Sequence, residues 1–462
     1  MTQQEHLAAC AAEYEASRFA KTKHMNMTEL EQLVWKMGMG NARRLLQSRL
    51  EEDPRAAPDQ GHCCPGCQGK LRIQKKARAQ SRSLKTPIGE IVYRRAYGVC
   101  DRCGYSGAPL DEALGIPHSG PSVGALRKVC HAALIAGSFG KGEDVLEEHG
   151  EITFCRQYVR TLAEGEGKRM IQERDKAAKL YQEHKLEVKS PETPELIAVC
   201  ADGGRLQTRQ PKDEDRWKED KIGAVYDAEP RSDPETSFEK YKGAQAKIKT
   251  YVATMEPWEK LGWMLRLEAE RRGYSNAGKK LFLGDGAKTV RDVYEFHFKD
   301  ATFILDWCHA AGHLNESAKA VFGEGTQKAV HWYGTLKDML WEGKADEIIA
   351  QLQKQSNRLG EPEKGDTDSS PRVVLHRNAY SYFPNNKEAI DYPSFRSQGW
   401  PIGSGIAEGA VKQFNLRMKG SDKSWNVSNT GAEEMLQLCA LYHSEDDRWE
   451  QYWLRRAQPQ GK

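Results

Sequence analysis

The amino-acid sequence predicts a mixed α/β protein, preceded by a small metal-binding segment and a helical region. From residue 191 onward, short apolar runs that end in an acidic residue alternate with helical patterns, as is typical of α/β sheets. Two C-x-x-C motifs lie ahead of these runs, and helical periodicity flanks the motifs on both sides. The chain has 462 residues, so roughly two to four domains are expected.

Composition favours a water-soluble globular protein, because 39% of the residues are hydrophobic and 29% are charged. No run of about 18 apolar residues occurs, so no membrane-spanning segment is expected. The first residues lack both a basic start and an apolar stretch, so we expect no secretory signal and a cytoplasmic location. The net charge of +3 indicates no particular partner.

Residues 1–58 are predicted to form an N-terminal helical region. Their apolar residues follow a helical spacing that predicts one buried stripe, formed by Leu30, Leu33, Val34, Met37 and Met39. The Pro-, Ala- and Asp-rich stretch 51–61 is typical of a linker.

Residues 59–108 are predicted to form a zinc ribbon. Cys64-Pro-Gly-Cys67 and Cys100-Asp-Arg-Cys103 are two tight turns that can face one another and supply four thiolates to a tetrahedral Zn²⁺. Cys63 or His62 is an alternative to Cys64 as a ligand. A redox-active pair is the other interpretation, although the two-motif pattern argues against it.

Nine lysines and arginines lie between the two cysteine motifs, against the single acid Glu90. Such a local excess of positive charge favours binding of a polyanion through counterion release. A solvated surface loop is the alternative.

Residues 109–190 are predicted to form a helix-turn-helix-like DNA-binding region and a connector, because short helical patterns are broken near Gly140, Gly142 and Gly150. Arg156 and Arg160 would lie early on the last helix, where side chains can reach a DNA groove. A plain helical connector is the alternative.

Within residues 191–430, two aspartates end apolar runs. Asp202 follows a buried run and precedes Gly203 and Gly204, which would let the backbone turn away, and Asp285 ends a second run in the same manner. Acids at the carboxyl ends of buried strands lie where α/β sheets commonly bind ligands. An ordinary Asp-Gly turn is the alternative for each.

Glu408 is predicted to lie in the first turn of a helix that follows Ser404 or Gly405. An apolar stripe on this helix would pack on the core, and a polar stripe beside it would carry Glu408, Lys412, Asn415 and Lys419. A solvated helix face is the alternative. Residues 314–395 are predicted to form a helical insertion before this helix, and residues 431–462 a helical tail.

Three segments that contain Asp202, Asp285 and Glu408 resemble, in the same order, the sequence blocks of bacterial insertion-sequence DDE transposases, and the ISKra-type group in particular. They are AVCADGGRLQTR, LFLGDGAKTVRDVYEFHFKDATFILDWCHAAGHL and PIGSGIAEGAVKQFNLRMKGSDKSW. The resemblance covers roughly residues 190–430. It implies a ribonuclease H-like core in which these three acids bind Mg²⁺ or Mn²⁺.

The resemblance also implies the chemistry and the partners. A transposase cleaves DNA at the ends of its element and joins the freed 3′-hydroxyl to target DNA, working as at least a dimer on the terminal repeats. Lys412, Arg417 and Lys419 would then contact phosphates, and Trp425 would stack on an unpaired base or belong to the core. Two rival functions remain: a ribonuclease H-like nuclease without strand transfer, and a non-catalytic zinc-ribbon regulator that binds DNA.

The segment Asp306-Trp307-Cys308-His309 resembles a D-x-x-H signature of many transposases, with Cys308 where an aromatic residue is more usual. Asp306, His309 and His313 could bind a second metal ion. A hydrogen-bonded structural role is the interpretation that we favour from the sequence.

Overall fold

A computed structural model describes residues 25–76, 80–209, 216–231, 243–420, 423–426 and 430–459, and single positions at 5, 8, 9, 11, 12, 241 and 428. Most of the predicted N-terminal helical region before residue 25 lies outside the described residues. The chain divides into two compact units, one within residues 1–166 and 447–462 and the other within residues 167–446. In the part of the chain that is described, no helix is both long and apolar enough to cross a membrane.

The elements of the first unit, in chain order, are α1 (Met27–Glu51), β1 (Arg72–Ile73), β2 (Ser81–Thr86), β3 (Gly89–Arg94), β4 (Gly98–Val99), β5 (Ser106–Gly107), α2 (Pro109–Ala113), α3 (Val123–Ile135), α4 (Phe139–His149), the start of α5 (Arg156–Gln182), and α16 (Arg448–Ala457). Strands β1, β4 and β5 form one small antiparallel sheet, and β2 and β3 form a hairpin.

The core of the first unit lies between α1 and the β2–β3 hairpin. Helix α1 begins at a capping box, in which the side chain of Asn26 accepts from the Glu29 N–H and the Glu29 carboxylate accepts from the Asn26 N–H. The buried carboxylate of Asp111 accepts hydrogen bonds from the hydroxyl of Tyr93, a member of this core, and from the Arg95 guanidinium. These bonds pair a charge that would otherwise be costly to bury.

The elements of the second unit are the remainder of α5, β6 (Leu196–Gln207), β7 (Trp217–Glu229), β8 (Gln245–Thr254), α6 (Trp258–Arg271), β9 (Lys279–Gly284), α7 (Lys288–His297), β10 (Thr302–Leu305), α8 (Trp307–Phe322), α9 (Gln327–Trp341), α10 (Ala345–Leu359), α11 (Pro371–Arg377), α12 (Phe383–Asn385), α13 (Tyr392–Ser397), α14 (Gly405–Met418) and α15 (Thr430–His443).

The second unit is built on a mixed five-stranded sheet with the strand order β10-β9-β6-β7-β8. Strands β6, β7 and β8 pair antiparallel in succession. Strand β9 then pairs parallel to β6, and β10 pairs parallel to β9. The predicted mixed α/β class is therefore confirmed, with β6 at the centre of the sheet.

Strand β6 does not end at Asp202, and the predicted turn at Gly203 and Gly204 is wrong. The strand continues to Gln207 because β7 pairs with it antiparallel along this whole stretch, a long-range pairing that local sequence does not reveal. The two glycines instead permit close packing, since a Cβ at Gly204 would lie 2.5 Å from an oxygen of Asp220.

Helices cover both faces of this sheet, which explains why residues 196–201 of β6 are continuously buried. Helix α14 packs against β6 and β7. On the other face, a Cβ at Gly223 would lie 2.7 Å from the Leu265 side chain, so α6 approaches the backbone of β7 closely. Between β10 and α14 the chain is helical along most of its length.

Glu433 joins three elements of the second unit. Its buried carboxylate accepts from the Thr254 hydroxyl at 2.8 Å, the Met255 N–H and the Arg174 guanidinium. Helix α15 is thereby bonded both to the end of β8 and to α5.

The close approach of α5 to α15 gives a test of this packing. A Cβ at Gly167 would overlap the backbone carbonyl of Glu434, so Gly167→Ala should lower the free energy of unfolding by roughly 1–3 kcal/mol. At Gly165, on the same helix, an added Cβ would have nothing within 4 Å, so Gly165→Ala should leave stability unchanged or raise it by up to about 1 kcal/mol. Urea denaturation measures both. Equal effects of the two substitutions would contradict the packing.

Candidate active site

Three aspartates lie just beyond the residues through which the adjacent strands β6, β9 and β10 pair in parallel. The last parallel pair between β6 and β9 is Cys200 with Leu283, and Asp202 and Asp285 each lie two residues beyond it. Asp306 directly follows β10, whose last residue pairs with the residue before Asp285. The register of the parallel strands therefore brings all three acids to one edge of the sheet.

Glu408 reaches the same edge from α14. It lies in the first turn of this helix, where the Ser404 carbonyl accepts from the Ala407 and Glu408 N–H groups at 2.8 and 3.2 Å. The side chain of Glu408 is 30% exposed, and its Oε2 lies 3.7 Å from Nζ of the exposed Lys412. The helix predicted from the sequence is present, and it presents Glu408 and Lys412 together.

Two neighbouring cavities open at this edge. The smaller, of about 410 Å³, is lined by Asp202, Glu408, Cys308, His309 and Lys412, among others. The larger, of about 850 Å³, is lined by Asp285, by further acidic and basic residues, and by His309. Asp202 and Glu408 thus share one cavity, while Asp285 lines the next, with His309 common to both.

The acids at this edge interact electrostatically. Burial raises the pKa of Asp202, and the charges of Asp285 and Glu408 raise it further, against the opposing effects of the Gly203 N–H and His309. The Gly203 N–H donates to Asp202 Oδ1 at 2.8 Å, and the Ala287 N–H donates to Asp285 Oδ1 at 2.9 Å. The site therefore concentrates negative charge that a cation would stabilise.

Asp306 is almost fully buried and accepts four hydrogen bonds. Its Oδ1 accepts from the N–H and from Nδ1 of His309, at 2.7 and 3.0 Å. Its Oδ2 accepts from the N–H and from the hydroxyl of Ser404, the latter at 3.0 Å. Burial alone would raise the pKa of Asp306, but the bonds from His309 and Ser404 outweigh burial and lower it.

His309 and His313 differ in their surroundings, although they lie one helical turn apart on α8. The hydrogen bond to Asp306 raises the pKa of His309 to about 9. His313 instead has Nδ1 3.0 Å from Asn378 Oδ1 and stacks on Tyr382, with 3.8 Å between the ring centroids. Among the described residues, Asp306, His309 and Glu408 have potential metal-ligating atoms within 4.8 Å of one another. Asp306, His309 and His313 do not form such a group.

A π-helical turn, Asn378–Tyr382, supports the Asp285 side of the site and was not foreseen from the sequence. The Tyr382 hydroxyl donates to the backbone carbonyl of Asp285 at 2.8 Å. Asn378 Nδ2 donates to the His313 carbonyl at 3.0 Å. Single π-turns often occur at functional sites, but hydrophobic periodicity carries no signal for them.

The buried carboxylate of Asp220 is a second feature that the sequence did not indicate. It is fully buried on β7 next to Gly204, and neither oxygen has a hydrogen-bond partner among the described residues. Burial raises the pKa of Asp220 to about 6, which the positive charge of Lys419 opposes. Asp220 stands in a mostly polar stretch of the sequence, so only the pairing of β7 with β6 reveals this burial.

The residues predicted to contact DNA near Glu408 divide into two groups. Lys412 is exposed and Lys419 is half-buried. Arg417 and Trp425 are buried, and the guanidinium lies 5.5 Å from the indole ring centroid. Trp425 Nε1 donates to the Met418 carbonyl at 2.9 Å, so the indole packs as a core residue, the alternative given to base stacking.

Arg156 and Arg160 lie on the first turns of α5, in the first unit. Arg156 is exposed, and its N–H donates to Glu143 of α4 at 2.9 Å. Arg160 Nε donates to Glu164 at 2.8 Å on the same helix. Both side chains are thus at the start of the third helix of the α3–α4–α5 succession.

The four predicted cysteines gather in the first unit. Cys64 Sγ lies 3.5 Å from Cys103 Sγ, Cys67 Sγ lies 3.4 Å from Cys100 Sγ, and ligand atoms of all four fall within 4.8 Å of one another. A hydrogen bond from the Cys103 N–H lowers the pKa of Cys100 to about 7, which favours the thiolate. Four cysteines in this arrangement can bind a metal ion such as zinc.

The two alternative ligands lie apart from this cluster. Cys63 is exposed and is not part of the group of four. His62 Nε2 lies 2.6 Å from the carbonyl of Ala57, so this ring is engaged elsewhere. The assignment of Cys64 rather than either neighbour agrees with the geometry.

Comparison with known proteins identifies the family of the chain. The model of the uncharacterised protein family UPF0236 matches residues 20–457, so the chain belongs to this family. No curated protein matches the chain. Among solved structures it is similar to the Drosophila P element transposase strand transfer complex, at 9% identity and a TM-score of 0.31, over 71% of this chain and 93% of that one. At this TM-score the likeness is too distant to indicate a shared fold or function.

The raised pKa of His309 predicts a pH dependence of stability without added divalent ions. The pKa of His309 is about 9 in the folded state and about 6.5 in the unfolded state. Protonated His309 therefore contributes to the free energy of unfolding fully below pH 6.5, and this contribution is lost as the pH rises to 9. Because the His309 side chain is 37% exposed, we expect only roughly 1–2 kcal/mol. The stability difference between wild type and His309→Gln should shrink by this amount between pH 6.5 and 9.

His313→Gln is the matched control, because burial lowers the pKa of His313 and its contribution should not change across this range. Urea denaturation at several pH values measures both differences. A His309 difference that stays constant with pH would contradict the prediction.

Proposed function

We propose that this member of the UPF0236 family is a DNA transposase, which cleaves at the ends of its element and joins the 3′-hydroxyl ends to target DNA. The observation that carries the proposal is that Asp202, Asp285 and Glu408 lie near one edge of the sheet, where the charges of Asp285 and Glu408 act on Asp202. The three acids come from distant parts of the chain, and they are the ones that the transposase-like sequence blocks single out.

The topology of the second unit supports a ribonuclease H-like core. In such a core, three successive strands pair antiparallel. Two further strands then pair in parallel beside the first strand, and each of them is preceded by a helix. Strands β6 to β10 have this order, with α6 before β9 and α7 before β10. The core strand β6 then carries Asp202, and β9 is followed by Asp285.

The donor atoms at this edge fit magnesium or manganese. Carboxylate oxygens are the hard ligands that these ions prefer. Burial, together with the charges of Asp285 and Glu408, raises the pKa of Asp202, and a bound cation would stabilise its ionised form. We infer that Asp202, Asp285 and Glu408 hold two divalent ions. When bound, such ions activate the attacking oxygen and stabilise the leaving oxygen of a phosphodiester.

Residues of the chain complete the site. The exposed ammonium of Lys412 lies beside Glu408, where it can bind a phosphate of the DNA backbone, and Lys419 directly follows the last residue of this helix. The buried Arg417 and Trp425 would support this contact indirectly, by packing the end of α14 against the core. Asp306 and Ser404 orient α14 and with it Glu408.

The first unit supplies the proposed DNA-binding functions. We infer that Cys64, Cys67, Cys100 and Cys103 bind one structural Zn²⁺, which would stabilise short strands with little core of their own. Arg156 and Arg160 at the start of α5 would contact the terminal repeats of the element. Pairing two element ends requires at least two active sites, so we expect a dimer or higher oligomer on DNA.

Activity on DNA that flanks the gene tests the proposal. With Mg²⁺ present, wild type should cleave at the element ends and join pre-cleaved ends to target DNA. Asp202→Asn, Asp285→Asn and Glu408→Gln should each lower the cleavage rate by at least about 100-fold, because a ligand of the ions is lost. Asp338→Asn, an exposed acid on α9, is the matched control and should cleave like wild type.

Each rival function gives a different result. A nuclease would cleave with the same dependence on the three acids but yield no joined product. A regulator would bind the ends without cleaving them. Cleavage by all three acid variants at the wild-type rate would refute the proposal.

Metal analysis tests the zinc site. The purified protein should contain one Zn²⁺ per chain, and Cys67→Ser should lose it together with a large part of the thermal stability of the first unit. Cys63→Ser is the matched control, because Cys63 is exposed and lies outside the cluster, so zinc content should be unchanged. Zinc loss in both variants, or in neither, would show that the assignment is wrong.

A further inference from the structure

We propose that His309 is a nitrogen ligand to a divalent ion held by Asp202 and Glu408, and that Asp306 is the positioning residue that orients its ring. This inference rests on the proposed function, because it adds a ligand to the carboxylate site. It replaces the purely structural role that the sequence favoured for His309, and it retains that role for Asp306.

The position of His309 is the first argument. Its ring lines the smaller cavity together with Asp202 and Glu408, and it also lines the larger cavity that contains Asp285. A ligand atom of His309 and one of Glu408 lie within 4.8 Å of one another, a separation that a shared metal ion can bridge. The side chain is 37% exposed, so an ion can reach it from solvent.

The orientation of the ring is the second argument. Nδ1 lies 3.0 Å from Asp306 Oδ1, and the backbone N–H of His309 donates to the same oxygen at 2.7 Å. With Nδ1 bonded to Asp306, Nε2 is the nitrogen left to bind an ion. Metal-binding histidines characteristically donate their other ring N–H to a carboxylate, which fixes the tautomer and the ring plane.

Asp306 itself does not act as a ligand in this arrangement. It is 1% exposed, and its two oxygens already accept four hydrogen bonds from His309 and Ser404. Binding an ion directly would break bonds that hold the start of α8 to the loop before α14. Asp306 therefore acts through His309.

A nitrogen ligand has a consequence for the choice of ion. Three carboxylates alone favour Mg²⁺ and Mn²⁺ similarly, whereas an imidazole shifts the preference toward Mn²⁺, which accepts nitrogen ligands more readily. The preference of this site for Mn²⁺ over Mg²⁺ should therefore be larger than that of a site lined only by oxygen ligands.

Pulsed EPR of Mn²⁺ bound to the full-length protein tests the inference without relying on activity. The wild-type spectrum should contain modulation from a directly bound nitrogen. His309→Gln should abolish this modulation and weaken Mn²⁺ binding by roughly 10- to 100-fold. His313→Gln is the matched control, because His313 lies one turn further along α8 but contacts Asn378 and Tyr382, so both signals should persist.

Asp202→Asn separates failure of this inference from failure of the proposed function. If Asp202→Asn and Glu408→Gln bind Mn²⁺ as wild type does, the carboxylate site itself is wrong. If Asp202→Asn and Glu408→Gln lose Mn²⁺ binding but the wild-type spectrum has no nitrogen modulation, only the role of His309 is overturned. The same conclusion follows if His313→Gln rather than His309→Gln abolishes the nitrogen modulation. Circular dichroism confirms that each variant is folded.

Discussion

The hydrogen bonds to Asp306 are the constraint on which the geometry of the candidate site depends. One carboxylate oxygen bonds the first turn of α8 through His309, and the other bonds Ser404, one turn before Glu408. An ionised carboxylate is costly to bury unless its acceptor positions are occupied, and here each oxygen accepts two bonds. Asp306 therefore holds the end of β10, the first turn of α8 and the loop before α14 together, and a shift of any of the three would break hydrogen bonds to a buried charge.

The sheet supplies the second constraint, because it holds like charges together at a cost. Burial and the neighbouring carboxylates both disfavour ionisation of Asp202, so the acids would move apart if the backbone allowed it. The parallel register of β6 with β9 prevents this, since a slip by one residue would exchange the side chains that β6 packs against the helices on its two faces. The stability gained by burying the apolar strands thus offsets the electrostatic repulsion between the acids near their ends.

Local patterns in the sequence predicted the apolar strands that contain or precede Asp202 and Asp285, the helix of Glu408, and the cysteine cluster. These patterns failed where contacts with distant parts of the chain determine the structure. The pairing with β7 extends β6 past Asp202, and Trp425 is buried although its neighbours are polar. His309 and His313 have the same helical spacing and differ only through Asp306 and Asn378, the latter 65 residues away from His313. No periodicity within α8 could separate their roles.

The N–H of Trp307, which follows Asp306, donates to the carbonyl of Ile402 at 2.9 Å, so the helical segment between β10 and α14 leaves the sheet and returns to it at one point. Since the entropy cost of closing a loop rises only slowly with its length, the exposed connections between the helices of this segment can change in length at little cost to folding. The segment also contacts the sheet through the hydroxyls of Tyr382 and Tyr392, which donate to the carbonyls of Asp285 and Leu305. These contacts tie the segment to the edge of the sheet, so insertions in its exposed connections would leave the positions of the acids unchanged.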